Sequence, residues 1–303
     1  MGKKKASELA MNTRTSIQKN ASHYTLATLD TSKSLDSFIT EVEIKGSEAQ
    51  NVKMHHLMME DATAFLKATP TTKTLRASHN QFRIALSNVL IDRNKDPTMP
   101  KKCRCGADVD PEGHHFQTCK RLGGIYLKHN ALNGVIMSAC IDAGLPARRE
   151  PAGIFPDDHR RPDIEIIGLD HSGKTTLIDG TIRDPIAPSN LKAEFKHLAT
   201  CLKDAEIEKR THYKDIDEEE FKLIPFAVSS LGGMSEEARE TFLNNIVNRI
   251  PSDPEHWKPT NFTARTPTQY YTQRLSLTIH TSAAYHSEML KKMSVKLGPI
   301  KQK

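Results

Sequence analysis

Cys103, Cys105 and Cys119 fall within 17 residues of one another, and His114 and His115 lie between them. Three thiolates and one imidazole complete the tetrahedral shell of Zn2+, and a site closed by four protein ligands leaves no position open for water, so its role is structural. Gly106 and Gly113 permit the tight turns of such a loop. The segment has almost no apolar residues, so a metal supplies the organisation that a core would otherwise give. Spacing leaves both His114 and His115 open as the fourth ligand. An unmetallated loop with free thiols is the competing reading. Cys140 and Cys201 stand alone in apolar, helix-like stretches and read as small buried hydrophobes, not as parts of a disulfide framework.

A second chemistry is carried by carboxylates. Ile164, Ile166 and Ile167, then Asp170-His171-Ser172-Gly173, then Leu177, Ile178 and Ile182 predict two strands joined by a short turn. With the turn centred on His171, Asp163 stands opposite Asp179, and alternation puts Asp163 and Glu165 on one face with Leu177, Asp179 and Thr181. Facing carboxylates repel unless a divalent cation lies between them, and hard oxygen ligands suit Mg2+. A solvated polar face on an edge hairpin satisfies the same pattern. The next helix, predicted from Asn190 to about Asp215, weighs in favour of a site. Its apolar stripe is Leu191, Phe195, Leu198, Leu202 and Ala205, and Lys209 and Tyr213 fall within roughly 40° of that line. A lysine ending a buried face needs an acidic partner or a phosphate, unless the helix end emerges and Lys209 snorkels into water.

Gly168 to Thr175 satisfies the phosphate-loop pattern letter for letter. A phosphate loop needs a helix N-terminus after it, whereas Thr176-Leu177-Ile178-Asp179-Gly180-Thr181-Ile182 is β-prone, so the segment reads as a hairpin turn.

The elements that must position these groups follow from periodicity. Helical spacing over Met54–Phe65 and Leu75–Leu90 is interrupted at Pro70-Thr71-Thr72, and a helix from His129 stops at Gly144. Leu223 to Ser230 predicts a third strand, ending at Gly232-Gly233. A further helix has Glu236 and Glu237 in its first turn and Phe242, Leu243, Ile246, Val247 and Ile250 on its apolar face. Beyond Pro251 only Tyr270–Met293 suggests another helix. The first fifty residues, rich in Ser, Thr and Lys, are expected to be weakly ordered. The chain thus divides into a basic segment 1–53, helices over 54–100, the cysteine knuckle 101–121, a mixed α/β (α+β) domain 122–250, and a basic helical tail 251–303.

The 303 residues include 43 Lys or Arg against 37 Asp or Glu, and 37% are hydrophobic. Residues 1–20 and 285–303 together hold +8, leaving the remainder near −2, so the basic excess belongs to the ends. Such arms read as solvated ends or as phosphate-seeking arms. No stretch approaches the roughly 18 consecutive apolar residues of a membrane span, and Lys3–Lys5 are followed by polar residues, not a signal-peptide core. Membrane and secreted readings are disfavoured; Ala6 stands where N-myristoylation requires Ser or Thr.

Taken in order over about residues 70–233, these features resemble the C-terminal region of site-specific non-LTR retrotransposon proteins, where a Cys-Cys-His-Cys knuckle precedes a restriction-like endonuclease of the PD-(D/E)xK class. The resemblance is carried by the knuckle, Gly123-Gly124, Lys128-His129-Asn130, Arg149-Glu150-Pro151, Arg161-Pro162-Asp163, Glu206 to Tyr213, and Ser229-Ser230-Leu231-Gly232-Gly233. It implies a restriction-endonuclease-like core with a small mixed sheet flanked by helices. It also implies phosphodiester hydrolysis of DNA, with Asp163 and Asp179 holding Mg2+, Lys209 supporting the nucleophile or oxyanion, Tyr213 positioning that lysine, and Glu150 as a weaker additional metal contact. Lys101, Lys102, Arg104, Lys120 and Arg121 around the zinc knuckle would grip the nucleic-acid backbone of DNA, with RNA a second partner. A nuclear location and a reverse-transcriptase region encoded upstream are further implications. The chain departs from the usual motif at Thr181, where lysine is ordinary, so the lysine role migrates to Lys209. Pro156-Asp157 is a rival PD pair, but Asp158-His159-Arg160 cannot continue it as a buried strand. A nuclease-dead, zinc-stabilised nucleic-acid-binding protein is the alternative.

Overall fold

The computed structural model describes residues 31–70, 76–90, 100–109, 115–155, 160–253 and 264–297. Helices α1 (Thr31–Lys45) and α2 (Glu48–Leu57) open it. Of the segment 1–53 expected to be weakly ordered, residues 1–30 lie outside the described residues, while 31–53 are mostly helical: Ile39 and Val42, one helical turn apart, bury against Met54. The helix expected over Met54–Phe65 starts earlier, at the Ser47–Gln50 capping box, and stops at Leu57. After Asp61, held at φ 65°, the chain makes only a 3-10 turn, Ala64–Lys67. Helix α3 (His79–Val89) starts at a second capping box, Ser78–Gln81. The knuckle follows, with one helical turn at His115–Thr118, and then α4 (Gly124–Asp142).

Strands β1 (Ala147–Arg149), β2 (Ile164–Ile166) and β3 (Thr175–Arg183) form an antiparallel meander. Helices α5 (Leu191–Lys196) and α6 (Thr200–His212) then cross over to β4 (Phe221–Ser229), which pairs parallel to β3. A parallel pair requires such a crossover. The fold is therefore mixed α/β, with a small four-stranded mixed sheet flanked by helices. Ile164 faces Ile178 and Glu165 faces Leu177, the register that a turn centred on His171 dictates. Strand β1 was not expected. It is short and polar, and Arg148, opposite Glu165, forms an ion pair with it across the ladder.

Helix α7 (Glu236–Arg239) continues as a π-helical segment, Glu240–Ile246, and a 3-10 turn, Val247–Arg249. The last element, α8 (Pro267–Leu297), contains the helix expected over Tyr270–Met293, but it is part of the core and not a basic helical tail. Tyr271, Leu275 and Ile279 are buried in the main core with Leu132, Ile136 and Cys140 of α4, Ile164, Ile178 and Phe226 of the sheet, and Phe242. Periodicity understates α8 because its buried face includes Ser276, His280, His286 and Ser287. Each of these side chains makes at least one hydrogen bond, as burial requires: the Ser276 hydroxyl, for instance, accepts from the Phe65 amide and donates to the Ala62 carbonyl. At the crossing of α8 with α4, a Cβ on Gly124 would lie 1.9 Å from the His286 ring. Only glycine lets the two helices meet there.

The single helix expected from Asn190 to Asp215 is two helices. Ala199 adopts φ 63° between them, and the Glu194 carboxylate accepts from the Ala199 and Cys201 amides at 2.9 and 2.6 Å. Phe195, placed on the apolar stripe by helical phase, is half exposed, while Leu202 and Ala205 are buried. No helix among the described residues is long and apolar enough to cross a membrane.

Candidate functional site

Two centres flank the start of α4. In the knuckle, the Gly106 amide donates to the Cys103 carbonyl and the Cys103 amide to the Ala107 carbonyl, a tight turn that brings Cys103 and Cys105 to one side. Cys119 follows the His115 turn. Donor atoms of Cys103, Cys105, His115 and Cys119 all lie within 4.8 Å of one another. Tetrahedral Zn2+ with bonds of about 2.3 Å separates two sulfurs by about 3.8 Å. The Cys103 and Cys119 Sγ atoms are 3.8 Å apart, and Cys105 Sγ lies 3.2 Å from His115 Nε2. The set fits zinc in type, number and spacing. His114, the other histidine candidate, lies outside the described residues. Burial pushes the Cys119 thiol up to about 12 and raises Cys103. For Cys105 burial also acts upward, but hydrogen bonds from the Ala107 amide and neighbouring thiols bring it below its ordinary value. A metal bound here displaces thiol protons.

The knuckle is anchored rather than free. Phe116 and Leu290 of α8 pack with Cys103 and Cys119, the Arg104 amide donates to Ser294 Oγ at 2.9 Å, and Gln117 Nε2 donates to Ser287 Oγ at 2.9 Å. Of the expected phosphate-gripping residues, Lys101, Lys102, Lys120 and Arg121 are exposed and Arg104 is half-buried. Lys102 pairs with Asp108 at 2.7 Å. Buried Lys128, whose ammonium donates to the Gln117 carbonyl, ties the knuckle to α4.

The acidic centre is assembled from three elements. Asp179 projects from β3 on the face that carries Leu177, which packs with Tyr213, Phe155 and Leu223. Asp163 lies just before β2, where its Oδ2 accepts from the Gly180 amide at 2.7 Å, a side chain continuing the ladder where the strand ends. From α6, Lys209 Nζ donates to Asp179 Oδ1 at 2.8 Å and the Tyr213 hydroxyl donates to the Arg161 carbonyl at 2.9 Å. The fold therefore brings together Asp163, Asp179, Lys209 and Tyr213. Glu150 stands apart: it is exposed at φ 46°, and its contribution is the backbone amide, donated to the Asp163 carbonyl at 2.8 Å. The rival Pro156-Asp157 lies outside the described residues.

Sequence reasoning missed His129. Its Nε2 is 2.8 Å from Asp163 Oδ2, and donor atoms of His129, Asp163 and Asp179 lie within 4.8 Å of one another. Helix α4 comes this close because β3 has glycine at 180; a Cβ there would meet Asn133 Oδ1 at 3.0 Å. The available signal was His129 and Asn133 spaced i, i+4 beside the apolar Leu132–Ile136 face.

Charge is balanced unevenly across the pair. Burial raises Asp163, but the hydrogen bond and charge of His129 and the Gly180 amide outweigh it, holding the carboxyl below its ordinary value. Asp179 goes the other way, raised by burial and by Asp163 despite the pull of Lys209. The hydrogen bond to Asp163 raises His129. Burial and Asp179 push the Tyr213 hydroxyl up, so it stays a donor. Such divergent neighbouring carboxyls are a mark of reactive sites, though structural ion pairs produce them too.

The phosphate-loop lookalike is a turn. Asp170 Oδ1 accepts from the Ser172 amide at 2.8 Å, Lys174 Nζ donates to the Glu218 carbonyl at 2.6 Å, and the chain runs into β3 with no helix. Buried His56, Glu194 and Cys201 also cluster, but Glu194 is spent on two helix-end amides and on His56 Nε2 at 2.9 Å, so the group acts as a brace between α2 and α6. Comparison with protein-family models and with curated proteins gives no match to this chain.

Proposed function

We propose that the chain is a metal-dependent DNA endonuclease with a restriction-like core and a zinc knuckle, of the kind found at the C-terminus of site-specific non-LTR retrotransposon proteins. The observation that supports it is the convergence of Asp163, Asp179 and the Lys209 ammonium, drawn from a hairpin and a helix separated in sequence. Two carboxylates with divergent proton affinities beside a lysine suit phosphodiester hydrolysis better than a solvated surface. Asp163 and Asp179 would hold a divalent cation, which supplies an acidified water and neutralises charge on the scissile phosphate. Lys209, which bonds to Asp179 Oδ1, would be placed to donate to the developing oxyanion. Tyr213, braced by its bond to the Arg161 carbonyl, would help position that lysine or the phosphate. The exposed Lys101, Lys120 and Arg121 add backbone affinity without sequence preference.

A second reading has its own support. Asp163 is already hydrogen-bonded to His129 and Asp179 already paired with Lys209, so both carboxylates are satisfied without an ion, as a nuclease-dead nucleic-acid-binding protein would require. A Mg2+-dependent nicking assay on supercoiled DNA separates the two. Cleavage by the wild type that is lost in Asp179→Ala supports the enzyme; equal inactivity of both, with DNA binding retained, supports the binding protein.

A further inference from the structure

We propose that His129 is a third protein ligand of the ion held by Asp163 and Asp179, and that its nitrogen makes this centre select Mn2+ over Mg2+. The inference rests on the preceding reading only in taking those two carboxylates as ligands. Octahedral ligands about 2.1 Å from an ion lie about 3 Å apart when adjacent. His129 Nε2 and Asp163 Oδ2 are 2.8 Å apart, a separation that serves equally as a hydrogen bond without the ion and as one edge of its shell. Donor atoms of all three side chains fall within 4.8 Å of one another, close to the about 4.2 Å between opposite ligands of such a shell.

A second, independent observation concerns the far side of the ring. A metal-bound histidine donates its other ring N–H to a fixed acceptor. Asn133, one turn further along α4, stands there, with its Nδ2 3.5 Å from His129 Nδ1. In this arrangement the buried Asn133 Oδ1 has no hydrogen-bond partner. Exchanging the two ends of that amide turns the orphaned oxygen toward His129 Nδ1, where it accepts the N–H that a ring ligating through Nε2 must carry there. The side chain thus has one setting for a ring that donates to Asp163 and another for a ring that ligates. Mg2+ demands oxygen and gives up water reluctantly, whereas imidazole suits transition ions. A donor set of one nitrogen and two carboxylates therefore discriminates between them.

The test uses the full-length, zinc-loaded protein, titrated with Mn2+ and separately with Mg2+. In the wild type, pulsed EPR of bound Mn2+ should show a directly coordinated imidazole nitrogen. That coupling should vanish in His129→Ala, which should lose about tenfold or more in Mn2+ affinity while Mg2+ affinity changes by less than about threefold. Asp179→Asn should weaken both ions. Absence of imidazole coupling in the wild type, no Mn2+ binding outside the knuckle, or equal losses for both ions in His129→Ala would each overturn the proposal. The wild-type spectrum decides even where the variant fails to fold. Imidazole-coupled Mn2+ in a protein that nicks no DNA removes the nuclease reading alone; nicking without that coupling removes the histidine ligand alone.

Discussion

The cysteine knuckle and the acidic centre share a scaffold yet differ in how their donors are supplied. Cys103, Cys105, His115 and Cys119 come from one short loop, and their shell is complete, so the knuckle's chemistry is finished once an ion is bound. His129, Asp163 and Asp179 come from a helix, a strand entrance and a strand interior. Each acid there already has a side-chain partner, Asp163 the His129 ring and Asp179 the Lys209 ammonium. A closed soft shell serves architecture; a set of donors assembled from distant segments is the arrangement the proposed hydrolysis would require. Helix α4 links the two, with buried Lys128 bonded to the Gln117 carbonyl on the knuckle side and the adjacent His129 in the acidic centre.

The sharpest way to break this contrast is to damage one centre and read both. Asp179→Ala should lower nicking by about a thousandfold or more, the scale of losing a ligand that supports both water activation and charge neutralisation. Zinc content by atomic absorption should stay at the wild-type level. Cys119→Ser should do the reverse: zinc is lost and unfolding stability falls by on the order of 3 kcal/mol, seen in a denaturant titration. Nicking should fall only as far as DNA affinity does. Loss of activity in Cys119→Ser at saturating DNA would show the knuckle to be part of the reactive centre and end the distinction.

Both centres lean on α8, which carries Ser287, Leu290 and Ser294 under the knuckle and packs on α4. Its His280 gives a pH handle. Burial drives His280 down to about 4, only partly offset by its bond to the Ala62 carbonyl. A histidine with a depressed folded value is protonated more readily in the unfolded chain, so its stabilising contribution is present above pH 6.5 and is lost as pH falls toward 4. The full loss is about 3 kcal/mol, of which about 2 kcal/mol is gone by pH 5. Calorimetry at pH 7 and pH 5 should show this drop in the wild type and a smaller one in His280→Leu. An unchanged drop in the variant would assign the pH sensitivity to groups nearer the two centres.

How much of this was legible follows from the range of the forces involved. The knuckle was readable because its ligands and turns are local. The Asp163–Asp179 pairing was readable because a two-residue period and a turn at His171 leave one register. Lys209 and Tyr213 were readable because Leu202 and Ala205 set the buried phase of α6. His129 escaped because its partners are 34 and 50 residues away, on strands whose approach depends on the missing side chain of Gly180. The core role of α8 escaped because buried Ser276, His280 and Ser287 look solvent-facing until their backbone acceptors are known.

The break between α5 and α6 was the least legible, since no proline or glycine marks it, and it supports the smallest prediction. The buried Glu194, fixed by His56 from 138 residues away, takes the amides of Ala199 and Cys201 and holds Ala199 in a left-handed conformation that an L side chain adopts at a cost of about 1 kcal/mol. Glycine adopts that conformation freely but loses more entropy on folding. Ala199→Gly should therefore stabilise the protein, by about 0.5 kcal/mol in a denaturant titration. In a continuous helix the same change would destabilise by about 1 kcal/mol, so the sign alone decides whether the crossover is hinged at residue 199. A hinge there sets α6 independently of α5, which is how Lys209 reaches Asp179 while Phe195 turns to the outside.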